Sequence, residues 1–225
     1  MKPTFWQKIK SNFIDIHIES TSSEYNEILT VLLCKGRFQL VTENAIYSYG
    51  DLYSNYKRAF DKMNLPQLDI ENVLILGFGM ASIPYMLEKN LKRNYHYTAV
   101  EIDETVAYFA DKYVTQYLES PIEMILGDAY FFSMQSESTY DMICVDVFID
   151  DEIPPQFETP EFWESIKRML GDKGVLLFNR LYLTDEDKRI TNYFYENVFL
   201  PIFKNGAYLD VGGNWIISNR SLLAK

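Results

Sequence analysis

The sequence predicts an α/β protein: a mostly parallel sheet flanked by helices, closed by an antiparallel C-terminal hairpin and preceded by a small antiparallel sheet. Three observations carry this. Beyond residue 50, short aliphatic and β-branched runs alternate with amphipathic stretches, which demands a parallel sheet with helices on both faces. Before residue 50, apolar and polar residues alternate with period two between turn residues. The first of the parallel strands, Val73-Leu74-Ile75-Leu76, ends in the tight turn Gly77-Phe78-Gly79.

The elements follow in order. Residues 13–19 alternate as a half-buried strand, and 26–34 form a second. Lys35-Gly36 turns into a strand at 37–41, and Glu43-Asn44 turns into one at 45–48. Residues 1–50 are thus expected to form an N-terminal β-sheet subdomain, and 51–225 a Rossmann-like nucleotide-binding unit. That unit opens on a helix with Asp51 as N-cap, Leu52, Tyr56, Ala59, Phe60 and Met63 on one face, and Pro66 beyond its end. Strands are then expected at 72–77, 97–102, 122–126, 140–147 and 174–179. The helices between and after them fall near 81–91, 104–118, 129–134, 160–170 and 184–199. Residues 207–211 and 214–218, joined by Gly212-Gly213, break the alternation and form a hairpin, a known way to close a parallel sheet.

Composition narrows the function. A chain of 225 residues holds one α/β domain and a small appendage, with no apolar run of the ~18 residues a membrane span needs. A net charge of -11 argues against nucleic acid, which requires a basic footprint; an acidic field attracts a cationic small molecule, but the global charge reads first as a device for solubility. Cys34 and Cys144 sit in apolar runs, as buried packing residues of a cytoplasmic protein do, and His17 and His96 are too isolated for a metal site.

Ligands of open parallel sheets bind outside the carboxyl ends of the strands. The first end carries Gly77 and Gly79, the second Glu101-Ile102-Asp103, the third Gly127-Asp128-Ala129 and the fourth Asp146, followed by Asp150-Asp151-Glu152. Glu101 stands 22 positions past Gly79, where an acid can hold a ribose diol by two hydrogen bonds. Gly127 lets a planar ring approach the backbone beside Asp128. Each acid also has a plainer role, as a helix cap or a solvated loop charge. Asp146 is the candidate catalytic residue: it ends an apolar run, where a carboxylate is partly desolvated and can take a proton from an attacking amine. Gly77, Gly79, Glu101, Ile102, Asp128 and Ala129 are the candidate cofactor-binding residues. Tyr56, Asp150, Asp151 and Trp215 are the candidate substrate contacts, aromatics and acids suited to a cation.

From Ser23-Glu24-Tyr25-Asn26 through the Gly77 turn, Glu101-Ile102-Asp103, Gly127-Asp128-Ala129 and Tyr140-Asp141 to Asp146, and on to Gly213-Asn214-Trp215, the chain resembles the spermidine synthase family. These aminopropyl transferases are built on the class I S-adenosylmethionine methyltransferase fold. The resemblance implies that Glu101 binds the ribose, Asp128 the adenine, and Asp146 assists deprotonation of the nucleophilic amine. It implies a homodimer as well, with the apolar N-terminal sheet as the contact. Departures lie at Met80, where the family's glycine turn carries Asp, at Tyr56-Lys57-Arg58, at Asp146-Val147-Phe148-Ile149-Asp150 and at Asn179-Arg180.

The leading expectation is a transferase using an adenosyl sulfonium donor, decarboxylated S-adenosylmethionine or S-adenosylmethionine itself, with aminopropyl transfer to a diamine and no metal. A methyltransferase acting on a small acceptor is the alternative, favoured by Met80 and Arg180 if these stand where donor and amine are selected. A catalytically silent binding protein is the third. Ser82 in place of a third glycine argues against a nicotinamide dehydrogenase.

Overall fold

The computed structural model describes residues 2–222. A four-stranded antiparallel sheet, in order β1-β2-β3-β4, is formed by β1 (Ile16–Thr21), β2 (Leu29–Cys34), β3 (Arg37–Val41) and β4 (Ile46–Ser48). The first strand begins later than expected because a short helix, α1 (Phe5–Lys10), and its following turn take up the preceding residues. Thr4 starts that helix by accepting from the Gln7 amide while the Gln7 side chain returns a bond, a reciprocal cap present in the sequence and overlooked.

The seven-stranded sheet runs β10-β11-β9-β8-β5-β6-β7, with β5 (Asn72–Leu76), β6 (His96–Glu101), β7 (Ile122–Leu126), β8 (Tyr140–Val145), β9 (Leu170–Leu181), β10 (Ala207–Asp210) and β11 (Asn214–Ser218). Strands β5 to β9 are parallel, and β10 and β11 close the sheet antiparallel. The chain lays down β5, β6 and β7 in one direction and then returns to place β8 on the other side of β5. A crevice must open where the connections diverge, at the ends of β5 and β8. Strand β9 is longer than the expected 174–179, since Leu170 already pairs with Tyr140.

Helix α2 (Ser54–Lys62) starts after Tyr53, not at Asp51 as expected. The Asp51 carboxylate instead pairs with Arg37 of β3, at 2.5 Å from Nε and 3.2 Å from Nη2, which draws it out of the cap position. The remaining helices are α3 (Ser82–Tyr85), continued by a wide turn to Asn90, α4 (Glu104–Tyr113), α5 (Ala129–Gln135), α6 (Pro160–Met169), α7 (Asp185–Phe194) and α8 (Leu200–Ile202). Asp103, Asp128, Thr159 and Thr184 cap α4, α5, α6 and α7 through side-chain oxygens.

Period-two alternation sends Val73 and Ile75 to one face of the sheet and Leu74 and Leu76 to the other, and each face has its own core. The second centres on Trp163 of α6, packed against Phe178, Phe194 and Phe199. The first includes Leu29, Val31, Leu33, Phe38 and Leu40 of the small sheet, with Phe38 against Tyr113 of α4 at 4.6 Å between ring centres. Shared burial thus fixes the small sheet over the carboxyl ends of the parallel strands and places its β3–β4 turn above the crevice.

Candidate functional site

A cavity of about 510 Å³ opens at that point, bounded by the ends of β5, β6, β8 and β9 below and by Asn44, Ala45, Ile46 and Tyr47 above. Its volume lies in the range of sites that hold small molecules.

The glycine bend requires Gly77. Its φ is +81°, and a Cβ there would overlap the backbone carbonyl of Asp146 on the neighbouring strand end. Both glycine amides of the bend are committed within the protein: Gly77 N–H donates to the Val100 carbonyl at 3.0 Å and Gly79 N–H to Glu101 Oε2 at 2.9 Å. A phosphate would need such amides free. A turn that spends one of these amides on a strand carbonyl and the other on a carboxylate suits a nucleoside without phosphates.

Glu101 is buried, with its second oxygen accepting from the Asp103 amide at 3.1 Å. Burial pushes its carboxyl above the ordinary value against the pull of the two amides. Each oxygen keeps a lone pair for a further donor, as two ribose hydroxyls would supply. Asp128 accepts from the Tyr130 amide at 2.7 Å through Oδ1 only. A side chain at Gly127 would meet no protein atom within 4 Å, so the space above it is open to a ring. Gly77, Gly79, Glu101, Ile102, Asp128 and Ala129 all line this half of the cavity.

Asp146 stands at the end of β8, at the centre. Tyr53 donates to its Oδ2 at 3.0 Å, Asn179 Nδ2 donates to Oδ1 at 2.9 Å, and Asn179 in turn accepts from Asn214 at 3.0 Å. Burial raises the carboxyl from 3.8 to about 7; the Asn179 and Tyr53 bonds oppose this, and the charge of Glu101 adds to it. A carboxylate so held changes charge close to neutral pH, the property a general base needs.

Asp150 and Asp151 also line the cavity, but Asp150 has another task. Thr42 Oγ1 and the Asn44 amide donate to its Oδ1 at 2.5 and 3.1 Å, and Asn44 Nδ2 donates to Oδ2 at 2.5 Å. Burial raises its carboxyl, and these donors outweigh it, leaving it below the ordinary value. Its amide donates to the Tyr47 hydroxyl. Asp150 thereby ties the loop after β8 to the β3–β4 turn and roofs the crevice.

Two expected substrate contacts stand outside the cavity. Tyr56 is fully buried beneath it, its hydroxyl donating to the Val145 carbonyl at 2.9 Å, because the helix register points it at the sheet. Trp215, 5% exposed, is sandwiched between Tyr208 and Tyr182, with ring centres at 3.6 and 3.8 Å. Met80 and Arg180 are likewise absent from the lining, which removes the argument they lent to a methyltransferase. Met80 packs in the first core, and Arg180 is buried against Phe194 with Glu158 and Thr191 as partners. Sequence reasoning gave Asn179 only as a departure from the family and gave Tyr53 no site role; neither was foreseen as a partner of Asp146. Asn179 is the residue after Phe178, which pairs with Val145, so the strand-end rule extended to β9 would have found it. Tyr53 lies one helical turn before Tyr56 and carried no signal beyond that spacing.

Residues 56–198 match the family model described as the spermine/spermidine synthase domain, more than half of the chain. The chain belongs to the spermine/spermidine synthase family. A probable polyamine aminopropyl transferase of Bifidobacterium longum is 30% identical over 156 residues, covering 68% of this chain and 33% of the relative. A polyamine aminopropyltransferase of Vibrio vulnificus is 32% identical over 112 residues, 48% of this chain and 37% of the relative. The chain therefore spans only about a third of the length of these two relatives. Among solved structures, a probable spermidine synthase of Corynebacterium glutamicum superimposes with a TM-score of 0.70 at 18% identity, covering 89% of this chain and 78% of that one. The spermidine synthase of Thermotoga maritima gives 0.67 at 16%, covering 90% and 72%. This family member thus has the mostly parallel, class I methyltransferase-like architecture the sequence predicts.

Proposed function

We propose that this family member transfers the aminopropyl group of decarboxylated S-adenosylmethionine to a small amine. The observation that carries the reading is Asp146, a carboxylate poised near neutral pH by burial and held by Tyr53 and Asn179, directly beside the glycine bend and Glu101. The donor's adenosyl part fits the half lined by Glu101, Ile102, Asp128 and Ala129, which leaves its sulfonium arm directed toward Asp146.

The chemistry asks little of the protein beyond alignment and proton removal. The amine lone pair attacks the methylene next to sulfur, the new C–N bond forms as the C–S bond breaks, and the electron pair leaves on a neutral thioether, 5′-methylthioadenosine. Asp146 accepts the proton the new ammonium sheds. Tyr53 and Asn179 occupy one lone pair on each of its oxygens and so fix the direction of the free ones. A methyl transfer from S-adenosylmethionine would use the same donor half, but with Met80 and Arg180 outside the cavity no residue of the site favours it.

Two further features belong to this reading. Phe5, Trp6 and Phe13, all well exposed beside the small sheet, support a homodimer contact there, and the two buried free cysteines suit a reducing cytoplasm. Calorimetric titration with decarboxylated S-adenosylmethionine and with S-adenosylmethionine, paired with an assay of thioether release, tests the activity. Tighter binding of the decarboxylated donor and amine-dependent release are expected; preference for S-adenosylmethionine with methyl transfer overturns the reading.

A further inference from the structure

A continuous run of hydrogen bonds joins the loop after β8 to Glu101, and every link in it points the same way. The Asp150 amide donates to the Tyr47 hydroxyl, that hydroxyl donates to Asn26 Oδ1 at 2.9 Å, and Asn26 Nδ2 donates to Asp103 Oδ2 at 2.9 Å. The Asp103 amide donates to Glu101 Oε1 at 3.1 Å. Segments far apart in the chain supply the members: the loop after β8, strand β4, the β1–β2 connection and the turn that ends β6. Asn26 and Asp103 are buried, and Ser23 is a second donor to the same Asp103 oxygen. The other oxygen receives the Thr105 amide at 2.9 Å, so both are engaged within the protein.

Two features make this run more than packing. Donation in one direction toward a carboxylate lets each bond polarise the next, so the run forms or fails as a unit. At its far end Asp150 has a φ of +55°, a left-handed conformation that is costly for a residue with a side chain. The bonds from Tyr47, Thr42 and Asn44 keep it there. Burial, joined by the charges of Asp150, Glu101 and Asp103, pushes the Tyr47 hydroxyl above its ordinary value against the pull of the Asp150 amide, so at neutral pH it remains a donor.

We infer that Tyr47 and Asn26 are positioning residues that couple the adenosine half of the cavity to the loop following Asp146, so that a donor seated on Glu101 completes the amine site. The inference rests on the aminopropyl-transfer reading. Burial holds the Glu101 carboxyl above its ordinary value. Two ribose hydroxyls donating to it would join the two amides already there and draw it toward its ionised form. The Asp103 amide is then held more firmly, the turn at 101–103 is fixed, and the Asp103 side chain meets Asn26 in one orientation. Tyr47 passes that constraint to the Asp150 amide. The loop so held contributes Val147, Phe148, Ile149 and Asp151 to the cavity wall beside Asp146. Without the Tyr47 hydroxyl, the Asp150 amide and Asn26 Oδ1 both lose their partner, and the loop keeps only its ties to Thr42 and Asn44.

The test measures, by calorimetry on the 225-residue chain, how far 5′-methylthioadenosine raises the affinity for butane-1,4-diamine. The native protein is expected to show a gain of at least about fivefold, the low end of ordinary coupling between sites. Tyr47→Phe and Asn26→Ala should each bring the gain below about twofold, and the double variant should go no further than the stronger single one, since members of one run do not add. Affinity for the thioether alone should change by less than about threefold, because Glu101 itself is untouched. Tyr49→Phe removes a hydroxyl bonded to Cys34, outside the run, and should keep the native gain. In turnover with decarboxylated S-adenosylmethionine, Tyr47→Phe should raise KM for the amine more than it lowers kcat. A gain that is absent from the native protein, survives in both single variants, or is lost equally in Tyr49→Phe overturns this inference. Amine-dependent thioether release in the same preparation then leaves the transfer reading standing. No thioether release with any amine defeats the transfer reading and this inference with it.

Discussion

Replacing Asp146 by Asn should weaken catalysis and stabilise the fold, with a pH signature that separates the two effects. The carboxyl is raised from 3.8 to about 7, so the folded chain favours its protonated form. The stability it contributes is present at low pH and is lost as pH rises from 3.8 to about 7. At 1.36 kcal/mol per pH unit, ionising it in the folded state costs roughly 4 kcal/mol above neutrality. About 1.5 kcal/mol of that is already felt at pH ~5, so the stability gap between variant and native protein should widen by about 2–3 kcal/mol between pH ~5 and pH ~8. Urea unfolding of both proteins at the two pH values measures the gap, and the double difference cancels every other titrating group. Turnover should fall by about 10²–10⁴-fold, the usual contribution of a positioned base, while donor binding changes little. A gap that stays constant with pH, or narrows, refutes the argument that burial strains this carboxylate. Unimpaired turnover refutes its role as base.

Tyr53→Phe removes one of the two donors that favour the ionised form of Asp146; the rising limb of the pH–rate profile should move to higher pH, and turnover should fall by about tenfold. Gly77→Ala forces a Cβ into the Asp146 carbonyl at φ +81°, and chemical denaturation should show a loss of about 2–5 kcal/mol. Glu88, far from the site, has its carboxyl lowered to about 2: burial pushes it up, but Lys89, Ser120 and the amides of Glu119 and Ser120 outweigh that. Its contribution is therefore present above 4.5 and lost as pH falls toward about 2. Glu88→Gln should accordingly cost about 2–3 kcal/mol at neutral pH and much less near pH ~2, read by thermal unfolding.

The sequence by itself determined the fold class, the order of strands and helices after residue 50, and which strand-end residues line one half of the cavity. The reason is local: strand-end residues such as Gly77, Glu101, Asp128 and Asp146 inherit their position from the periodicity of the runs before them, and a parallel sheet brings such ends together. Only the tertiary structure decided the other half. Tyr56 and Trp215 looked like substrate contacts because aromatics suit cations, yet helix register turned one into the sheet and stacking enclosed the other between two tyrosines. Asp150 reads as a loop charge until the β3–β4 turn, more than a hundred residues earlier, supplies Thr42 and Asn44 to bind it. Asn179 becomes a partner of Asp146 only when β9 lies beside β8. Hydrogen bonds between segments distant in the chain leave no periodic trace, so the other half of the cavity became visible only when packing brought its walls together.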